Sequence, residues 1–80
     1  MTNEAILQDL CDIIKQIFDE PTLELSADTP TADVDGWDSL EQINILAACE
    51  QHFKMKFKIE QLRNIKKVGD IAAIIETNLA

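Results

Sequence analysis

Asp35-Gly36-Trp37-Asp38-Ser39-Leu40-Glu41 is the stretch on which the reading of this chain turns, because a polar connection ends there and an apolar periodic segment begins. Asp38 with Glu41 forms one capping-box register and Ser39 with Gln42 forms another, so either Asp38 or Ser39 is able to satisfy the first-turn amides of the helix that follows. Gly36 permits a turn that aims the helix start outward, and Trp37 places a large apolar side chain in a loop. On local chemistry Ser39 reads as a cap or as an accessible hydroxyl, and both readings stay open. A serine nucleophile needs a base within reach. The sole histidine, His52, lies more than three turns further along the same segment. Ser39 therefore reads as an acceptor of a group rather than as an attacker.

Working back from this stretch, Ile6, Leu10, Ile13, Ile14 and Ile17 recur at helical spacing, widened by Leu7, Cys11 and Phe18. The periodicity predicts a helix capped by Thr2 or Asn3. It must end near Asp19, since Pro21 cannot continue the hydrogen-bond ladder. Residues 20–37 form a connection that is long for a compact domain. Leu23, Leu25 and Val34 are its expected anchors.

Working forward, a second helix is expected over 39–52, with Leu40, Ile43, Leu46, Ala47 and Phe53 on a buried strip broadened by Ala48 and Cys49. Lys54 to Ile59 alternates basic and apolar residues. With no second strand to pair with, it reads as an extended link whose Met55, Phe57 and Ile59 pack inward. A short helix is expected over 60–65, anchored by Leu62 and Ile65. A last helix is expected over 68–78, with Val68, Ile71, Ala72, Ile75 and Leu79 on one face. Lys67 falls at its cap, an unfavourable residue beside a positive helix end.

Eighty residues make a single small domain, 1–80, that buries about 60% of its unfolded surface. An apolar content of 46% is enough for a core and argues against disorder. With four aromatic residues and no tyrosine, that core must be aliphatic. Such a core is able to open around a chain of methylenes, and it is equally what any small helical bundle contains. Cys11 and Cys49 fall on apolar faces without metal-ligand spacing and read as buried thiols. No stretch has the length of a membrane span, and no basic segment precedes an apolar block at the N-terminus. The expectation is a cytoplasmic protein with no membrane insertion.

The net charge of −8 is unevenly spread. Residues 1–50 hold twelve acids and one lysine, a net of −11, whereas residues 51–80 hold three acids and six bases, a net of +3. This acidity excludes a generic nucleic-acid binder and favours docking to basic protein surfaces. A rival motif lies in the same loop. Aligned on Gly36, residues 31–42 place Asp33 and Asp35 where a calcium loop has ligands. Thr31 and Gln42 replace its first and last carboxylates, however, and Asp38 stands where such loops are apolar. No metal site is expected beyond weak divalent binding by the acids.

Gly36-Trp37-Asp38-Ser39-Leu40 resembles the attachment motif of acyl carrier proteins, and the likeness extends from about Asn3 to Leu79. Asp-Ser-Leu is short, but its position at mid-chain, opening a second helix in a small acidic all-helical sequence, makes the match specific. The resemblance implies an all-α fold: a small four-helix bundle with a long loop between helices 1 and 2 and a short third helix. It implies 4'-phosphopantetheine on Ser39 through a phosphodiester, installed from CoA by a phosphopantetheinyl transferase, with thioester-bound acyl groups carried between enzymes of fatty-acid, lipid or specialised acyl or polyketide synthesis. It further implies that Asp38, Leu40 and Glu41 dock basic patches on acyl-handling enzymes, and that the chain is a monomeric carrier, not an enzyme. The family also admits aminoacyl and peptidyl carriers. An unmodified acidic adaptor with weak calcium binding is the reading from a different class. Arg63, Lys66 and Lys67 depart from the acidic third-helix region usual in carriers of bulk fatty-acid synthesis, which points to a dedicated pathway.

Overall fold

The computed structural model describes residues 2–79 and contains four α-helices: α1 (Asn3–Phe18), α2 (Ser39–Phe53), α3 (Ile59–Leu62) and α4 (Val68–Leu79). A single turn of 3-10 helix, Thr31–Asp33, interrupts the long first loop. No strand forms among the described residues, and the one β-bridge joins Pro30 to Lys67. The all-α architecture, the long loop and the short third helix are those expected.

Thr2 caps α1, its hydroxyl accepting from the Ala5 amide at 3.2 Å. The helix closes with Asp19 in the left-handed region at φ 54°, while the Glu20 amide reaches back to the Lys15 carbonyl at 3.0 Å. That pairing ends the helix before Pro21. Ile6, Leu10 and Ile14 are fully buried and face both α2 and α4. Val68, Ile71, Ala72 and Ile75 of α4 complete that side of the core.

The buried strip of α2 differs from the expectation. Ile45, Leu46, Cys49 and Phe53 are buried, whereas Ala47 is exposed and Leu40 and Ile43 are 65% and 63% exposed. Apolar residues surround most of this helix, so two rows satisfy helical spacing. The row at 45, 49 and 53 lies against α1, and the row at 40, 43 and 47 is left facing outward. Among the cysteines, Cys49 is fully buried and Cys11 only partly so, which corrects the expectation of two buried thiols. Burial, with a smaller contribution from Glu50, pushes the Cys49 thiol up to about 12.

Lys54 ends α2 in the left-handed region at φ 56°, and the Met55 amide bonds back to Glu50 O at 3.2 Å. Met55 is thereby turned into the core and Phe57 is half-buried, as the alternation predicts. Ile59 is not: it opens α3 and is 74% exposed, because entry into a helix breaks the period of two. That helix is shorter than expected, ending at Leu62. Asn78 near the end of α4 holds this region, donating to Lys56 O and sharing hydrogen bonds with the Gln61 amide, each at 3.0 Å. Leu79, expected on the buried face, is 37% exposed at the last described turn.

The cap of α4 explains the awkward lysine before it. Asp70, one turn in, accepts from the Lys66 and Lys67 amides at 2.9 and 3.1 Å. The next two amides are satisfied by the first loop, Val68 N by Thr29 O at 2.9 Å and Gly69 N by Ala27 O at 2.8 Å. Thr31 N completes the seam by donating to Lys66 O at 3.1 Å. A loop backbone thus completes the cap of α4 that the Asp70 side chain begins. Leu23 and Leu25 are half-buried and Val34 is buried, so the three expected anchors hold the loop down.

Candidate functional site

The choice between two caps is settled at the start of α2. Asp38 has extended backbone and its Oδ1 accepts from the Glu41 amide at 2.8 Å, while Asp38 O accepts from Gln42 N at 2.9 Å. Asp38 is the N-cap and Ser39 is the first helical residue. The Ser39 side chain is exposed, and among the described residues its hydroxyl makes no hydrogen bond. An anionic group esterified there meets the positive end of a helix whose first amides point outward. The exposed hydroxyl and these donors fit a phosphodiester.

Three contacts fix the approach to this serine. Gly36 adopts φ +85°, and a Cβ at that position would lie 3.6 Å from the Phe18 ring. The Trp37 indole leans on Phe18 with ring centroids 5.9 Å apart. Its Nε1 donates to Gln42 Oε1 at 3.0 Å. The loop is thus held between the end of α1 and the first turn of α2. Trp37 is half-buried, and it packs the loop while also lining an open cleft with Thr31, Ala32, Asp38, Ser39 and Gln42.

Further along α2 lies a second, apolar cleft of about 190 Å³, lined by Ile43, Leu46, Ala47, Glu50, Phe57 and Leu62. Leu40 and Ile43 stand at its approach as exposed apolar residues next to Ser39. Asp38 and Glu41 flank them with negative charge, Glu41 accepting from Asn44 Nδ2 at 3.2 Å. Sequence periodicity missed the exposure of Ile43 because it placed the outward row of α2 in the core. The Trp37–Gln42 bond carried no sequence signal beyond an indole and an amide five positions apart.

His52 is engaged elsewhere, its Nε2 lying 3.2 Å from Asp9 Oδ2 across α1 and α2. In the segment that resembles a calcium loop, residues 31–33 form the 3-10 turn, and Gln42 Oε1 accepts from Trp37. Among the described residues no three acid, histidine or cysteine side chains converge to hold an ion.

Comparison with known proteins places this geometry in context. Residues 8–75 match the family described as phosphopantetheine attachment site. The chain is 33% identical to an acyl carrier protein of Exiguobacterium sibiricum over 79 residues, covering 99% of this chain and 100% of that one. It is 34% identical to an acyl carrier protein of Coprothermobacter proteolyticus, covering 99% and 96% respectively. Its fold superposes with a TM-score of 0.84 on the solution structure of a holo acyl carrier protein from Geobacter metallireducens, at 37% identity over 91% of this chain and 84% of that one.

Proposed function

The chain belongs to the acyl carrier protein family, and from that premise we propose that Ser39 Oγ is the atom that bears its phosphopantetheine group. One observation carries the assignment: Asp38 performs the capping, which leaves the Ser39 hydroxyl exposed and uncommitted at the start of α2. In loading, Ser39 Oγ would form a bond to the pantetheine-side phosphorus of CoA, its proton would pass to a base of the transferase, and adenosine 3',5'-bisphosphate would leave. When bound, the group supplies a terminal thiol that carries an acyl unit as a thioester. Tethering turns each delivery into an effectively intramolecular event.

The surrounding residues then have distinct tasks. Asp38 and Glu41 steer encounter with basic enzyme surfaces, while Leu40 provides the apolar contact that seats them. Ile43 joins Leu40 in that role, being equally exposed one turn away. The apolar cleft behind them suits the methylenes of a cargo. Arg63, Lys66 and Lys67 are exposed at the turn into α4, which favours partners of a dedicated pathway over those of bulk fatty-acid synthesis. Equal turnover by the host's housekeeping ketosynthase and transacylase would refute that preference.

The test of the assignment is intact mass after incubation with CoA, magnesium and a broad-specificity phosphopantetheinyl transferase. A gain of one phosphopantetheinyl unit in the parent and none in Ser39→Ala is expected. An unmodified parent that is demonstrably folded, across several transferases, would remove the assignment in favour of an unmodified adaptor.

A further inference from the structure

Two clefts flank the first turns of α2, and their chemistry differs. The apolar one begins at Ile43, a full turn beyond Ser39, and offers little to a chain of amides. The other touches Ser39 itself and is walled by Trp37, Gln42 and Thr31. Ser39 shares a helical face with both Gln42 and Ile43, three and four positions on, and of the two clefts it is this one that reaches the serine itself.

The polar inventory of this second cleft is unbalanced. Gln42 Oε1 is taken by the indole N–H, which orients the carboxamide and leaves its Nε2 hydrogens without a partner among the described residues. Thr31 Oγ1 donates toward Lys66 O at 3.5 Å, which leaves the hydroxyl oxygen able to accept. The indole packs against Phe18 and lines the cleft with the rest of its half-buried ring, the main apolar group in a lining that is otherwise largely polar and includes Asp38. An apolar face, an amide donor and a hydroxyl acceptor thus stand beside the serine.

We propose that this cleft is a resting seat for the prosthetic arm, with the geminal dimethyl of its pantoyl portion against the Trp37 indole and an arm carbonyl accepting from Gln42 Nε2. The inference rests on Ser39 as the attachment point. It goes beyond that reading by fixing which of the two clefts the arm occupies between deliveries, and by giving Trp37 and Gln42 a part in holding it. The seat is weak by design of its openness. A short flexible tether supplies an effective concentration on the order of millimolar, so a contact of millimolar affinity is occupied about half the time and still releases the arm to an enzyme.

Trp37 is the sole tryptophan, so the seat has its own reporter. The experiment uses the full chain, converted to the holo form and verified by intact mass, and compares acrylamide quenching of indole emission before and after loading. Nuclear Overhauser contacts between indole protons and the geminal methyls are recorded on the same sample. Loading is expected to lower the quenching constant by roughly 1.5-fold, as half-time cover of an open face implies, and to give those contacts. Because Gln42→Ala also frees the indole, its apo and loaded forms are compared with each other, and loading is expected to change quenching little in that variant, with circular dichroism unchanged. A fully loaded parent with unaltered quenching and no such contacts overturns the seat while leaving Ser39 intact, as do contacts running instead to Ile43, Phe57 or Leu62. A folded parent that gains no mass overturns the attachment reading and the seat with it.

Discussion

Replacing Gly69 by alanine should lower stability even though alanine is the better helix former. A Cβ built at Gly69 would lie 2.7 Å from the carbonyl oxygen of Ala27, 3.0 Å from its Cβ and 3.2 Å from its carbonyl carbon. Carbon to carbonyl-oxygen contacts settle at about 3.3 Å or more, so the loop would have to retreat by roughly half an ångström. That retreat strains the Gly69 N to Ala27 O bond, now 2.8 Å, and its neighbour from Val68 N to Thr29 O, now 2.9 Å. Overpacking of this kind costs about 1–3 kcal/mol, and a weakened hydrogen bond about 1 kcal/mol more. Against this stands about 1 kcal/mol of helix propensity gained on leaving glycine. The difference is a loss of roughly 1–3 kcal/mol, which for a chain this short lowers Tm by on the order of 10 °C. Thermal and urea unfolding followed by far-UV circular dichroism would read it. Adding Ala27→Gly should restore little, because the tightest clash is with backbone rather than with the Ala27 methyl. A Gly69→Ala variant as stable as the parent, or more so, would show that the loop yields cheaply and that its seam with α4 is slack.

Other consequences are as direct. Asp38→Ala removes the acceptor for Glu41 N and should cost about 1 kcal/mol by thermal melting, whereas Ser39→Ala, which breaks no cap, should stay within about 0.5 kcal/mol; equal losses would contradict the assignment of the cap. Because Cys49 is held at about 12 in the folded state, above the 9.0 of an open thiol, the folded protein keeps a proton that the unfolded chain releases. Its contribution is complete below pH 9 and is lost as pH rises toward about 12, so urea midpoints should decline across that window and decline less in Cys49→Ala. Residues 1–50 carry a net of −11, and among the described residues the one lysine–carboxylate pair is the exposed Lys67 with Asp28, so added sodium chloride should raise Tm; a flat or falling response would show that the acids are already balanced.

Much of this was readable from residues alone, and each failure has a physical reason. The helices of the first and last segments were legible because each carries one apolar face, and Ile6, Leu10, Ile14, Ile71 and Ile75 fall where periodicity puts them. The second helix misled because it is apolar on two faces, and periodicity cannot say which face a neighbour will cover. Its outward row, Leu40 and Ile43, is the surface proposed here for docking. Ile59 failed for a local reason, since an alternating pattern lost its meaning once the chain entered α3. At the site, Ser39 was visible as a motif, but its release from capping was a matter of which oxygen reached Glu41 N. The role of Gly69 was silent in sequence because it depends on a carbonyl 42 positions earlier.

The seam between the first loop and α4 also sets an order of events. Its bonds join residues 27, 29 and 31 to residues 69, 68 and 66, and they close a large loop before they return any stability. While the chain is being synthesised, Ser39 emerges well ahead of the residues that fasten the loop leading up to it. The helix that bears the serine is thus available early, but its upstream wall, including Thr31, settles only once residues 66–69 have left the ribosome. A transferase that reads the finished surface around Ser39 would therefore depend on residues 66–69, well downstream of the serine it modifies.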